Sequence, residues 1–339
     1  MRFIIYSFLI LLCFSCSSRP NIERIECYET SELDSVDIIY EFDDKYPVSL
    51  AKRDSLLFVI QIKSDTCLSV INLNNRKELC SFGTVGHGDV DLLNPNFIQS
   101  IDDGSLLLDV GNLRKIVDIE YIDSDSIKMT NLDYPDSIFI SSELNMSDNY
   151  IVGRKVDAYD KDMFFIYDKN RNVKKSVTCY PLYHSFIKDF NYTYASVLAL
   201  NETKGRIVSG MYFFDIFHVY DLAGNRLMTF KFSDDCYPSI DRKSGRIDFS
   251  KGYNGIVRSY STQGYCYLLR MMNKDLNELP QYMLVQMNWE GHICKSYLLS
   301  GNILGQFCVD EKTNKVYFIK NSTNAKGEEI FSIVSYGMK

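Results

Sequence analysis

One tryptophan, four histidines and no closely spaced cysteine pair beyond the N-terminal segment set the first limits on this 339-residue chain. Past residue 20 the cysteines stand at 27, 67, 80, 179, 236, 266, 294 and 308. That spacing excludes zinc ribbons and thioredoxin-like redox pairs. Most of these cysteines lie in apolar runs such as "GYCYLL" and "QFCVD", where a thiol serves as a small buried hydrophobe. One disulfide in an oxidising envelope fits the count, with its pairing open. His87, His184, His218 and His292 are too scattered for a spaced metal motif, and no G-x-S-x-G, H-E-x-x-H or S-x-x-K stretch occurs. No cofactor is expected, and no spaced motif calls for a bound metal. A net charge of -7 with a pI near 5.3 leaves no basic field for a phosphate backbone, so nucleic acid is not an expected partner.

Helical periodicity is also nearly absent. What is present is 46% hydrophobic and 24% charged residues, the balance of a globular chain. The 24 tyrosines and 21 phenylalanines lean toward strands.

The chain begins "MRFIIYSFLILLCFSCSSRP". Arg2 supplies a positive start, and residues 3–12 form an apolar run too short to span a bilayer but suited to a signal-peptide core. Ser15 before Cys16 resembles a bacterial lipobox, with Cys13 and Phe14 where Leu and a small residue are usual. The expectation is cleavage before Cys16 and lipidation of its thiol, which makes the membrane a partner through the anchor. Ser17, Ser18 and Arg19 carry no acidic cluster of the kind linked to surface export, so an outer-membrane lipoprotein facing the periplasm is expected. An ordinary secretory signal cut nearby is the alternative.

Two turn patterns alternate along the remainder. The first is strand, polar turn, strand, closing near Asp54, Gly104, Asn149, Gly205, Gly264 and Asn314, at spacings of 50, 45, 56, 59 and 50 residues. The second is an apolar strand ending in Asp or Asn, a tight turn and another strand, as in "FHVYDLAGNRLMTF" and "LVQMNWEGHICKSYL". Marked at Asn72, Asp118, Asp168, Asp221, Asn288 and Ser335, its members lie 46, 50, 53, 67 and 47 residues apart. Two interleaved ladders of six predict an all-β six-bladed propeller of four-stranded units. Two separate sandwiches would not keep one period across the chain. Trp289 is the only tryptophan, which excludes the repeated tryptophans of kelch or WD40 blades. The last unit ends at its third strand, leaving an open edge, and "SVDIIYEF" at residues 35–42 belongs to no complete unit. That segment is expected to pair there and close the ring. The expected organisation is a signal peptide at 1–15, a lipidated linker at 16–30 and the propeller at 31–339.

The stretch "SFGTVGHGDVDLLNP", residues 81–95, looks most like chemistry. It sits between the outermost strand of the first unit and the innermost strand of the second. Its order is G-x-x-G-x-G with no helix after it and no Lys-Ser/Thr, so neither a dinucleotide fingerprint nor a P-loop is present. The glycines permit a tight crossover between blades; a metal on Asp89 and Asp91 is the sharper alternative. Gly86, His87 and Gly88, with Asp91, Asn94 and Pro95, resemble the "G-x-G-P-G-E" loop of the TolB-like six-bladed propeller lipoproteins, related to NHL-type propellers. Asp89 stands at that pattern's Pro, Val90 at its second Gly and Asp91 at its Glu. The resemblance implies a propeller behind a lipoprotein signal.

Propeller geometry narrows the search further. Loops from an outermost to the next innermost strand, and from second to third strands, share one face, here the loop face. Both turn ladders lie on the other, the turn face. The loop face receives the long insertions at residues 179–194 and 233–255, where ligand sites tend to form on rigid scaffolds. The candidate ligand-binding residues are His87, Asp89, Asp91, Tyr183 and Tyr253 from loops, with Asp109, Arg154, Arg270 and Lys320 from second strands. Aromatic faces stack on sugar rings or apolar side chains, and arginine forks hold carboxylates or hydroxyls. The expected function is non-catalytic binding or scaffolding of a glycan, peptide or partner protein. The alternative is a propeller hydrolase or lyase drawing acid and base from Asp89, Asp91, His87 and His184. On the binding reading, replacing Arg154 and Arg270 weakens a ligand without touching stability.

Overall fold

The computed structural model describes residues 22–25, 30–33, 36–86, 88, 91–101, 106–123, 126–138, 141–155, 162–178, 187–273, 279–299, 302–324 and 326–338. They form the predicted six-bladed propeller. Blade 1 consists of Tyr46–Arg53, Leu56–Ile62, Thr66–Asn72 and Lys77–Thr84. Blade 2 is Asn96–Ile98, Leu106–Val110, Lys115–Asp123 and Ser126–Leu132, and blade 3 is Ser141–Met146, Tyr150–Lys155, Phe164–Asp168 and Val173–Val177. Blade 4 is Ser196–Asn201, Arg206–Met211, Ile216–Asp221 and Arg226–Lys231. Blade 5 is Tyr253–Ser261, Cys266–Asn273, Gln281–Met287 and Ile293–Leu299. Blade 6 takes Ile303–Asp310, Lys315–Thr323 and Glu329–Gly337 from the C-terminal end, and Asp37–Phe42 from the N-terminal end as its outermost strand.

The turn ladders have a local chemical cause. Asp54, Gly205 and Asn314 in the first ladder adopt φ of 49°, 66° and 50°, a left-handed turn that Gly, Asn and Asp tolerate best. In the second ladder the strand-ending side chain caps its own turn. Asn72 Oδ1 accepts from Asn74 N at 2.8 Å, Asp168 Oδ1 from Arg171 N at 3.1 Å, Asp221 Oδ1 from Asn225 N at 2.8 Å and Asn288 Oδ1 from His292 N at 2.9 Å. Such side chains mimic a backbone turn. Asp118 is a correction: it lies inside Lys115–Asp123, and the turn follows that strand.

Six apolar clusters fill the six interfaces between neighbouring blades. Because each middle strand is covered on both faces, it reads as a continuous apolar run rather than an alternation. Leu57, Phe58, Val59 and Ile60 of blade 1 are all buried, two facing blade 6 and two facing blade 2. Burying one such side chain contributes about 1.5–3 kcal/mol. Cys67, Cys236, Cys266 and Cys308 are buried free thiols, and Cys294 is an exposed one.

The N-terminal segment does more than close the ring. Ile22–Arg24 adds a fifth, parallel strand to the outer edge of blade 4, and Thr30–Glu32 does the same on blade 5. Ile22–Arg24 lies within the span expected to be a linker, so the chain joins the propeller's sheets earlier than the sequence indicates. Three consecutive outer edges are thus covered by one belt, which hides hydrogen-bonding groups that an open edge would expose.

Candidate functional site

The innermost strands line a central cavity of about 830 Å³. Polar and charged residues stand in those strands where an all-apolar core would not place them: Glu143 in blade 3, Arg258 in blade 5 and Gln306 in blade 6. Arg258 Nη1 donates to Glu143 Oε1 at 2.5 Å. Its Nε donates to the Gln306 side-chain oxygen at 2.8 Å, with the amide turned so that oxygen faces the guanidinium. Glu143 holds φ at 57°, beside a bulge in the pairing between Ser142 and Asn145. A non-glycine side chain in that region costs on the order of 1 kcal/mol, and the bulge aims it across the channel at blade 5.

The cavity does not run evenly past all six blades. Gln99 from blade 2 donates through Nε2 to Ser259 O at 2.5 Å and accepts from Ser261 N at 3.2 Å. Asn145 Nδ2 and Ser259 Oγ both donate to Leu198 O, at 3.0 and 2.6 Å. These bonds draw blades 2, 3 and 5 over the innermost strand of blade 4, which is buried throughout.

Above Arg258 on the loop face lies an aromatic cluster. Phe213 packs against Tyr192, Tyr212, Phe249 and Tyr253 with ring centroids 5.1, 4.9, 5.6 and 5.1 Å away. Tyr192 is 51% exposed and Phe249 38%. Burial pushes the Tyr253 hydroxyl up to about 12, reinforced by the nearby phenols of Tyr212, Tyr192 and Tyr282. Burial also raises Tyr212, which feels both Arg258 and Glu143, so the cluster stands beside the charged group. Tyr212 reaches this position because Gly255 lets two backbones touch: a Cβ on Gly255 would stand 1.8 Å from Tyr212 O.

The residues expected from sequence do not all come together. Arg154 and Tyr253 stand at this aromatic cluster. Burial lowers the Arg154 pKa, with Glu143 acting against that shift, and its Nη2 donates to Asn191 O at 3.1 Å. Asp109 lines the central cavity. It is 4% exposed, burial raises its carboxyl to about 7, and Oδ1 has no hydrogen-bond partner among the described residues. Asp91 is held by its own loop: Oδ1 accepts from Thr84 Oγ1 at 2.5 Å and Oδ2 from Gly88 N at 2.8 Å. A Cβ on Gly86 would meet that carboxylate at 2.2 Å, which is what the glycine is for. Arg270 is buried in the wall between blades 4 and 5, its fork donating to Asp215 Oδ1 and Oδ2 at 2.7 and 2.6 Å. The expectation that it meets a ligand without affecting stability is therefore corrected. Lys320 is half-buried on blade 6, opposite Ile303 in the ladder. His87, Asp89 and Tyr183, with His184 and Cys16, lie outside the described residues.

Sequence reasoning missed Glu143, Arg258, Gln306, Tyr192 and Tyr212. A usable signal existed: each of the first three is a polar residue inside an innermost strand, and the innermost strands face the channel. Among the described residues, no group of three His, Cys, Asp or Glu side chains is placed to hold a metal ion.

No family model and no curated protein matches this chain. Solved structures do. A member of the DUF4221 family from Bacteroides vulgatus ATCC 8482 superposes with a TM-score of 0.58 at 14% identity, covering 90% of this chain and 98% of that one. A protein from Bacteroides fragilis NCTC 9343 described as exported gives a TM-score of 0.52 at 11% identity, covering 95% of each chain. At such identity the likeness is one of fold.

Proposed function

We propose that this chain is a bacterial envelope lipoprotein that binds a saccharide at the loop-face mouth of its propeller, without transforming it. One observation carries the reading: exposed Tyr192 and Phe249 stand on a packed aromatic base next to a ring of fixed polar groups, Glu143, Arg258, Arg154 and the tyrosine hydroxyls. Aromatic faces stack on the apolar faces of sugar rings, while carboxylates and guanidinium forks bind the hydroxyls at their edges. The base is rigid, so little order remains to be imposed on binding. An oligosaccharide array, run beside a peptide array, tests this. Sugar binding lost in Tyr192→Ala supports it, whereas peptide binding alone at the same mouth replaces the saccharide with a protein partner.

A hydrolase or lyase is the second reading, favoured by Asp109. A carboxyl near 7 is suited to general acid work, and Asp109 shares its cavity with Glu143. The acid and base would then come from these two rather than from Asp91, whose carboxylate is occupied by its own loop. Turnover of a polysaccharide that disappears in Asp109→Asn would establish it.

The address rests on the signal segment and Cys16, supported by an exported protein among the structural neighbours. Kinship with the TolB-like propellers rests on the glycine loop and the signal. Fatty-acid labelling of wild type but not of Cys16→Ala is the expected result; equal release of both into the soluble fraction would refute the anchor.

A further inference from the structure

The belt determines where the N-terminus leaves the ring. Arg226–Lys231 runs from the turn at Gly224 on the turn face to Lys231 on the loop face, and Ile22–Arg24 lies parallel to it. Thr30–Glu32 is parallel to Ile293–Leu299, and Asp37–Phe42 is antiparallel to Glu329–Gly337. All three crossings therefore climb in one direction, from turn face to loop face. Ile25 N donates to Lys231 O at 3.1 Å, and Arg24 pairs with Asp234 at 3.0 Å at the loop-face end of the first crossing. The chain enters the propeller at the turn-face rim of blade 4.

We infer that the anchored propeller stands with the turn-face rim of blade 4 against the bilayer and its aromatic mouth turned toward water. This rests on the lipoprotein reading above. Magnitudes decide between the two orientations. Cys16 precedes Ile22 by six residues, a reach of at most about 20 Å when fully extended. The six residues of Arg226–Lys231 span about 20 Å along the blade. A tether starting at the turn-face rim would spend its whole length merely climbing the blade before the loop face touched lipid. With the turn face inward the same tether is ample. A ligand then approaches the mouth of Tyr192 and Phe249 from the aqueous side, unobstructed by the membrane that holds the protein.

The test uses full-length lipidated protein in vesicles of phosphatidylethanolamine and phosphatidylglycerol carrying a headgroup acceptor dye. A fluorescent amino acid is introduced by codon suppression at Lys204, in an exposed turn-face position of blade 4, or at Leu279, exposed on the loop face of blade 5. Energy transfer several-fold stronger from position 204 than from 279 is expected. Equal transfer, or stronger transfer from 279, in protein shown to carry fatty acid overturns the orientation while leaving the anchor intact. Wild type that takes up no fatty acid and floats free of vesicles, as Cys16→Ala should, overturns both.

Discussion

The two ends of the central cavity are built from similar residues put to different use. At the turn-face end every charge named here is tied to a protein partner. Lys52 pairs with Asp310 at 3.0 Å, Asp310 also accepts from Thr313 at 2.7 Å, and Glu311 accepts from Thr262 at 2.5 Å and Tyr267 at 3.2 Å. Burial raises the Asp310 pKa, but its bonds to Thr313 and Lys52 prevail and hold it below the usual carboxylate range, as expected of a carboxylate whose bonds favour the charged form. At the loop-face end Asp109 is raised, Arg154 leaves a buried Nε without a partner among the described residues, and Glu143 is held in a strained backbone. Orphaned polar atoms and strain cost stability and persist where something else requires them. The contrast supports placing the proposed site at the loop-face end.

The largest expected effect separates structural from binding charge within the loop face. Arg270→Ala leaves the fully buried Asp215 without its bidentate partner, and unfolding should become easier by about 3–5 kcal/mol. Thermal denaturation checks this. An unchanged melting temperature would return Arg270 to the list of ligand contacts.

Next in size is the pH dependence of Asp109. Its folded pKa of about 7 lies above the unfolded value near 3.9, so the folded state holds the proton more tightly. Stability contributed by the protonated form is complete below the unfolded value and is lost as pH rises toward 7, by up to about 4 kcal/mol. His218 acts in the opposite sense. Burial lowers it to about 3, so its contribution is lost as pH falls from 6.5 toward 3. The two nearly cancel between pH 4 and 6.5, and the difference between wild type and Asp109→Asn is the informative quantity. Denaturant titrations should show the variant equal to wild type near pH 4 and more stable at pH 8.

Gly255→Ala comes third. The added methyl collides with backbone rather than with a flexible side-chain end, so a loss of about 1–3 kcal/mol is expected, with a change in tyrosine fluorescence as Tyr212 is displaced. Smallest is Arg76→Ala on the turn face. Arg76 clasps Asp37 of the closing strand at 2.9 and 2.7 Å, but the pair is about half exposed and should contribute no more than about 1 kcal/mol.

The ring was legible in the sequence because its turns are local chemistry. Asn72, Asp168, Asp221 and Asn288 cap the turn that follows each of them, so their spacing records the blades directly. The closing strand was legible by the same arithmetic, since the sixth unit lacked a fourth member. The belt was not. Ile22–Arg24 and Thr30–Glu32 are three residues each, too short for any periodicity, and their pairing is set by distant edges. For the site, Arg154 and Tyr253 could be placed from strand order alone. Arg270 occupies the equivalent position on its second strand, yet it is buried because Asp215, more than fifty residues away in sequence, happens to meet it. Glu143 owes its direction to a bulge that nothing in "SSELNM" announces.

The central claim is that ligand binds at the loop-face mouth and nowhere else on the ring. Its most direct measurement is calorimetric titration of the tightest oligosaccharide found on the array into wild type, Tyr192→Ala with Arg258→Ala, and Lys52→Ala. The loop-face double variant should lose about 1–3 kcal/mol of affinity for each charged hydrogen bond removed, while Lys52→Ala binds like wild type. Full affinity in the loop-face variant together with loss in Lys52→Ala would contradict the account and move the site to the other end of the channel.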